Sequence, residues 1–169
     1  MSWRQLLRAD LVPARYGSSG SLIWAYTPSK LLLSDDIGLH WAEVPISIRP
    51  LTATIEGVFV EPSRRLWVAL NTEDSAAKAK RYSDAKRGIN PELKLYSSSD
   101  SGRTWLESSW RSDDDQIGSV QFFDPRSGLV ATRYSVYWTS DGGVLWHRGV
   151  FDVRRDSCRR PSCVCEYWP

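Results

Sequence analysis

"YSSSDSGRTW" at residues 96–105 and "YWTSDGGVLW" at 137–146 follow one pattern: hydroxyl residue, any residue, Asp, any residue, Gly, two more, then Trp. A third copy lies in "LLSDDIGLHW", which ends at Trp41. These cassettes carry the chemistry of a tight turn. Asp36, Asp100 and Asp141 can each accept hydrogen bonds from backbone N–H groups a residue or two ahead. Gly38, Gly102 and Gly143, the last with Gly142 beside it, take a positive φ at no steric cost. Ser34, Ser98 and Thr139 supply a hydroxyl bond across the loop. Trp41, Trp105 and Trp146 then fold back and bury a large ring whose indole N–H needs an acceptor. Asp100→Ala is therefore expected to loosen its hairpin and lower the melting temperature.

The match between the second and third copies extends upstream. "IEGVFVEPSRRLWVAL" (55–70) aligns with "IGSVQFFDPRSGLVAT" (117–132), setting Ile55, Val58 and Val60 over Ile117, Val120 and Phe122. Each begins an alternating apolar strand, turns at an acidic residue plus Pro (Glu61–Pro62, Asp124–Pro125), and continues as a second strand. Proline suits such a turn because its φ is already fixed. A third short strand follows ("KLYSS" or "SVYWT"), then the cassette, then a fourth strand. Four short strands recurring with turns between them are the mark of a sheet-by-sheet repeat. The first copy is less regular, with "GSLIWAY" and "KLLLS" leaving its outer strands undefined.

The three cassettes resemble the Asp-box (BNR) of the sialidase-like repeat family, whose pattern is Ser/Thr, x, Asp, x, Gly, x, x, Trp/Phe. The pattern is complete in Ser34–Trp41, Ser98–Trp105 and Thr139–Trp146, and the resemblance covers most of residues 20–150. It implies an all-β chain: a partial β-propeller, or a stack of about three four-stranded antiparallel blades. The cassette would join the third and fourth strands of each blade as a structural device remote from any active site. Propellers close with about four to eight blades, so three leave open faces. Self-association, a partner, or more chain would complete the structure.

Asp36 and Asp100 lie much farther apart than Asp100 and Asp141. The excess falls in "NTEDSAAKAKRYSDAKRGINPEL" (71–93), whose Ala/Lys-rich centre predicts a short helix ended by "GINP". This insert carries Lys78, Lys80, Arg81, Tyr82, Lys86 and Arg87, and it reads either as a solvated loop or as a recognition element displayed on a rigid scaffold. "RSDDDQ" (111–116) reads as a solvated turn, because it lacks the spaced oxygen ligands of a calcium loop. The expected organisation is a repeat domain over 1–150 and an Arg/Cys-rich tail over 151–169. That tail holds Cys158, Cys163 and Cys165, an odd cluster that describes no disulfide framework. A zinc site would need a fourth ligand, for which His147 is the nearest in sequence. A local disulfide or free thiols is the simpler reading, and no metal or cofactor is expected.

Composition bounds the rest. The 169 residues suit one well-buried domain. With Lys plus Arg at 22, Asp plus Glu at 20 and a net charge of +2, nothing predicts nucleic acid or a membrane surface as the partner. No apolar run approaches the roughly 18 residues of a membrane span. Arg and Asp interrupt "MSWRQLLRADLVPARYG" where a signal peptide would be apolar. The chain as written is expected in the cytoplasm, or in the periplasm or outside the cell if a leader has been removed.

The resemblance raises the question of glycoside hydrolysis. Sialidases of that family need an arginine triad, an Arg-Ile-Pro motif and a Tyr nucleophile with an acidic helper. Here "ISIRP" (46–50) sets Arg49 directly before Pro50, and it follows a cassette instead of preceding one. Tyr134 and Tyr137 have no Glu beside them in sequence. GxSxG, HExxH and phosphate-loop patterns do not occur. His40 and His147 flank cassette tryptophans and read as strand positions. The expected function is a non-catalytic protein-interaction module. Non-enzymatic Asp-box proteins include assembly factors, sorting-receptor domains and small bacterial toxin-immunity proteins, and the chain looks most similar to the last; a toxin or an assembly client is the expected partner. A fragment or relative of a sialidase-like hydrolase or glycan-binding propeller is the alternative. Arg81, Tyr82 and Arg87 are residue types found at binding hot spots.

Overall fold

The computed structural model describes residues 15–48, 53–72, 93–112 and 116–150. All regular structure among them is β, in three four-stranded antiparallel sheets. The first contains β1 (Arg15–Ser19), β2 (Leu22–Tyr26), β3 (Leu31–Ser34) and β4 (Ala42–Glu43). The second contains β5 (Thr54–Val60), β6 (Leu66–Asn71), β7 (Leu93–Ser98) and β8 (Leu106–Glu107). The third contains β9 (Ile117–Phe122), β10 (Gly128–Thr132), β11 (Ser135–Thr139) and β12 (His147–Val150). In each sheet the strands lie in sequence order, so every connection is local.

The first repeat, irregular in sequence, is thus a full sheet. Its β1 pairs with β2 from Arg15↔Tyr26 to Ser19↔Leu22, although the burial of β1 does not alternate in the usual apolar way. The aligned upstream strands of the second and third repeats are structurally equivalent. Val58 pairs with Val68 where Val120 pairs with Val130. Both sheets also shift register at the same point, between Ile55 and Gly57 and between Ala131 and Thr132. The helix expected within 71–93 falls mainly on residues outside those described, as does the tail over 151–169.

Alternation explains the stacking. Along β6 the odd and even side chains point to opposite faces, yet all six residues are buried. The second sheet is therefore covered on both sides. Leu66, Val68 and Leu70 join Val58, Val60 and Tyr96 in a core shared with Leu22, Trp24 and Leu31 of the first sheet. Trp67, Ala69 and Leu95 face the other way, into a core with Val120, Phe122, Val130 and Tyr137 of the third. Trp67 stacks on Phe122 with ring centroids 4.3 Å apart and planes 14° from parallel. Its indole N–H donates at 2.7 Å to the carboxylate of the buried Glu61.

Candidate functional site

Each cassette joins the third strand of its sheet to the fourth, and the three share one hydrogen-bond pattern. The hydroxyl of Ser34, Ser98 or Thr139 donates to Oδ1 of Asp36, Asp100 or Asp141, at 2.8 Å in all three. The same hydroxyl oxygen accepts the N–H of Gly38, Gly102 or Gly143 at 2.8, 2.9 and 3.0 Å. The carboxylates reach farther along the chain than a simple Asx turn. They accept from the N–H groups of His40 and Thr104, and of both Val144 and Leu145, three or four residues on. The closing indoles return to the loop, with Nε1 of Trp41, Trp105 and Trp146 donating to the carbonyls of Gly38, Gly102 and Gly143.

Two of the loops also reach across to the preceding sheet. Trp105 Nε1 donates at 3.0 Å to the Pro45 carbonyl, just beyond β4. Trp146 Nε1 donates at 2.9 Å to Ser108 Oγ, just beyond β8. Ser108 Oγ in turn donates to the Gly143 carbonyl. The glycines fit the same seam. A Cβ on Gly102 would sit 2.4 Å from Val44 Cγ1, and one on Gly143 would sit 2.4 Å from the Trp67 ring. The cassette thus closes a hairpin and fastens one sheet to the sheet before it.

The residue between Asp and Gly is also left-handed: Ile37 and Ser101 at φ 61° and Gly142 at 78°. Sequence reading placed the positive φ on the glycine alone. The double glycine of the third copy was the available signal, because it shows which residue that second position prefers.

Donor crowding holds the three carboxylates in their charged form. The His40 backbone N–H, then its ring, keep Asp36 well below the usual carboxylate range. The Thr104 hydroxyl, then its N–H, bring Asp100 down to about 2. The Leu145 N–H, then the Thr139 hydroxyl, lower Asp141. His40 belongs to the loop and pairs with Asp36, so it is no strand residue, whereas His147 lies in β12 and stacks on Trp138.

Clefts lie between successive loops. One, about 430 Å³, is lined by Leu33, Trp41, Glu43, Pro45, Arg64 and Arg103 among others. Another, about 320 Å³, lies between the second and third cassettes, against Arg65, Trp67 and Ser108. A third, about 210 Å³, separates the Glu61–Ser63 turn from Phe122–Pro125. None of these three is lined by Asp36, Asp100 or Asp141. Tyr137 is buried with its hydroxyl against Ser112 Oγ, and the exposed Tyr134 lies under the Arg133 guanidinium. Among the described residues no group of three or more His, Cys, Asp and Glu side chains is arranged to hold a metal ion. No described helix is long and apolar enough to cross a membrane.

The basic insert residues Lys78, Lys80, Arg81, Tyr82, Lys86 and Arg87 lie outside the described residues, as do Arg49, Asp113–Asp115, Cys158, Cys163 and Cys165. The insert's point of departure is defined. Asn71 pairs with Leu93 at the end of the β6–β7 ladder. That end also carries the Thr27–Lys30 and Arg133–Tyr134 connections, opposite the cassettes.

No protein-family model matches the chain, and no curated protein does. Among solved structures it is similar to YCF48 bound to a D1 peptide, at 13% identity and a TM-score of 0.53. That match covers 75% of this chain and 36% of the other, so the chain spans about a third of that neighbour's length. An ancestral GH74 enzyme aligns at 19% identity and a TM-score of 0.47, over 75% of this chain and 16% of its own. These likenesses concern the fold. The described residues have a propeller-type architecture of three blade-like sheets that do not close into a ring.

Proposed function

We propose that this chain is a non-catalytic protein-binding module built on Asp-box repeats. The observation that carries the reading is the state of the cassettes. All three aspartates are engaged by their own loop's hydroxyl and N–H groups, in three separate hairpins, and none lines a described cleft. Glycoside hydrolysis by the two-carboxylate route needs a pair convergent on one bond, whereas these serve as turn anchors. What remains for function is the basic insert, flanked by Asn71 and Leu93, and exposed aromatics such as Tyr134 and Phe123 at 62% and 65%. Binding residues are commonly displayed in this way on loops held by a rigid sheet scaffold.

The partner is a protein, of the toxin or assembly-client kind, and association of copies across the open sheet faces belongs to the same reading. The test is calorimetric titration with the purified product of the adjoining reading frame, using the intact chain and a variant lacking residues 74–88. The expected result is an unchanged melting temperature with binding weakened at least tenfold. Undiminished binding by the deletion variant would remove the insert from the account. Turnover of a fluorogenic sialoside, abolished by Arg49→Ala, would replace the module with a hydrolase.

A further inference from the structure

The two inter-sheet seams share a rule that extends to faces no described sheet covers. In the first sheet, Gly17, Trp24, Leu33 and Ala42 form one row across the strands, facing the second sheet. In the second sheet the equivalent row is Phe59, Trp67, Ser97 and Leu106, facing the third. In the third sheet it is Gln121, Leu129, Trp138 and His147. Each row holds a tryptophan. Trp24 is 4% exposed and Trp67 is 1% exposed, but Trp138 is 46% exposed. Beside Trp138 lie the half-buried Leu129, Ala131 and Val136, and His147 stacks on its ring.

The receiving faces obey a second rule. The second sheet offers Val58, Val68 and Tyr96 to the first, and the third sheet offers Val120, Val130 and Tyr137 to the second. The equivalent trio in the first sheet is Tyr16, Ala25 and Leu32. It has the same make-up of one aromatic and two aliphatics, with the aromatic moved to the first strand. Tyr16 is 80% exposed and Leu32 is half-buried, while Ala25 is already buried. Among the described residues, one molecule thus carries a donor face at one end of its stack and a receiver face at the other, neither of them covered by a described sheet.

We infer that the outer face of the third sheet docks the outer face of the first sheet of a second copy, head to tail. Two copies related by a two-fold axis then make both contacts at once. Their six sheets fall within the about four to eight that close a propeller. The occupant follows from continuity: both seams already present join a tryptophan row to an aromatic–aliphatic trio, and these two faces are the next pair in that series. The inference rests on the scaffold reading for its architecture and is independent of which protein that scaffold captures.

The test is sedimentation equilibrium of the full chain from about 1 to 100 µM, alone and as Trp138→Glu and Tyr16→Glu variants. Both substitutions fall on exposed side chains, and each variant's melting curve checks its fold. The expected mass is twice 19.2 kDa for the parent chain, with association weakened at least tenfold in each variant alone. Mixing the two variants is expected to restore a pair, because one of its two seams then joins an intact Trp138 to an intact Tyr16. A monomer throughout, a pair indifferent to both substitutions, or a loss that mixing does not rescue would each overturn the proposal. Loss of the pair in only one of the two variants would mark a contact between like faces and would overturn it too. These outcomes are read without the protein partner, so failure here leaves the capture experiment standing, and the reverse holds.

Discussion

Substituting Gly143 by Ala tests the seam between the second and third sheets, and the structure separates two costs. Gly143 has φ +87°, a conformation that disfavours a side chain by about 1–2 kcal/mol. Its added methyl would also lie 2.4 Å from a Trp67 ring atom. Trp67 cannot give way easily, being 1% exposed, stacked on Phe122 and bonded to Glu61. Overpacking of this kind costs about 1–3 kcal/mol. The sum is about 2–5 kcal/mol. Gly20 supplies the control, because it has φ +63° with nothing within 4 Å of its added Cβ. Gly20→Ala should therefore show the backbone cost alone, and the difference between variants isolates the contact at about 1–3 kcal/mol. Urea unfolding followed by tryptophan fluorescence measures both. Equal midpoints for the two variants, with equal slopes, would refute the idea that the cassette glycine is an inter-sheet contact.

Three further outcomes follow from the same loops. Ile37→Gly should stabilise the chain by up to about 1 kcal/mol, because a β-branched residue at φ 61° is strained and its side chain is 70% exposed; thermal unfolding that shows a lower midpoint contradicts this. Trp105→Phe removes the indole bonds to Gly102 and Pro45 and should cost about 1–3 kcal/mol in urea unfolding, so a neutral result would deny those bonds their role. Acid should weaken the fold through the cassettes: Asp100 has a folded value of about 2 against an ordinary 3.8, so its contribution is fully present above the ordinary value and disappears as pH falls through the folded one. Asp36 and Asp141 act in the same direction. Asp100→Asn should flatten the loss of stability across that window, and urea midpoints taken through it would expose an unchanged slope.

The cassettes were legible because turn chemistry is local: hydroxyl, carboxylate and glycine sit within a few residues of the atoms they bind. The second and third sheets were legible because alternation and an acid–Pro turn repeat in both. The first sheet was harder to read, since "RYGSS" places Tyr16 and Arg15 on an edge strand whose exposure breaks the apolar alternation. The reach of each carboxylate to a residue three or four ahead was misjudged as one or two, because the left-handed residue at Ile37 or Ser101 lengthens the loop before it turns back. The inter-sheet bonds to Pro45 and Ser108 were invisible in sequence, joining residues that only the stacking of sheets brings together. That the chain leaves Asn71 and returns at Leu93 on the end opposite the cassettes follows from strand order, which is legible once four strands per repeat are recognised.

The central claim is that the second and third cassettes are clasps, each fastening its sheet to the one before. A double-mutant cycle between Trp146→Phe and Ser108→Ala addresses it most directly, since the 2.9 Å indole–hydroxyl bond spans the seam. The two changes should be coupled by about 0.5–1.5 kcal/mol. Strict additivity of the two unfolding free energies would show that this bond fastens nothing across the seam, and would contradict the clasp.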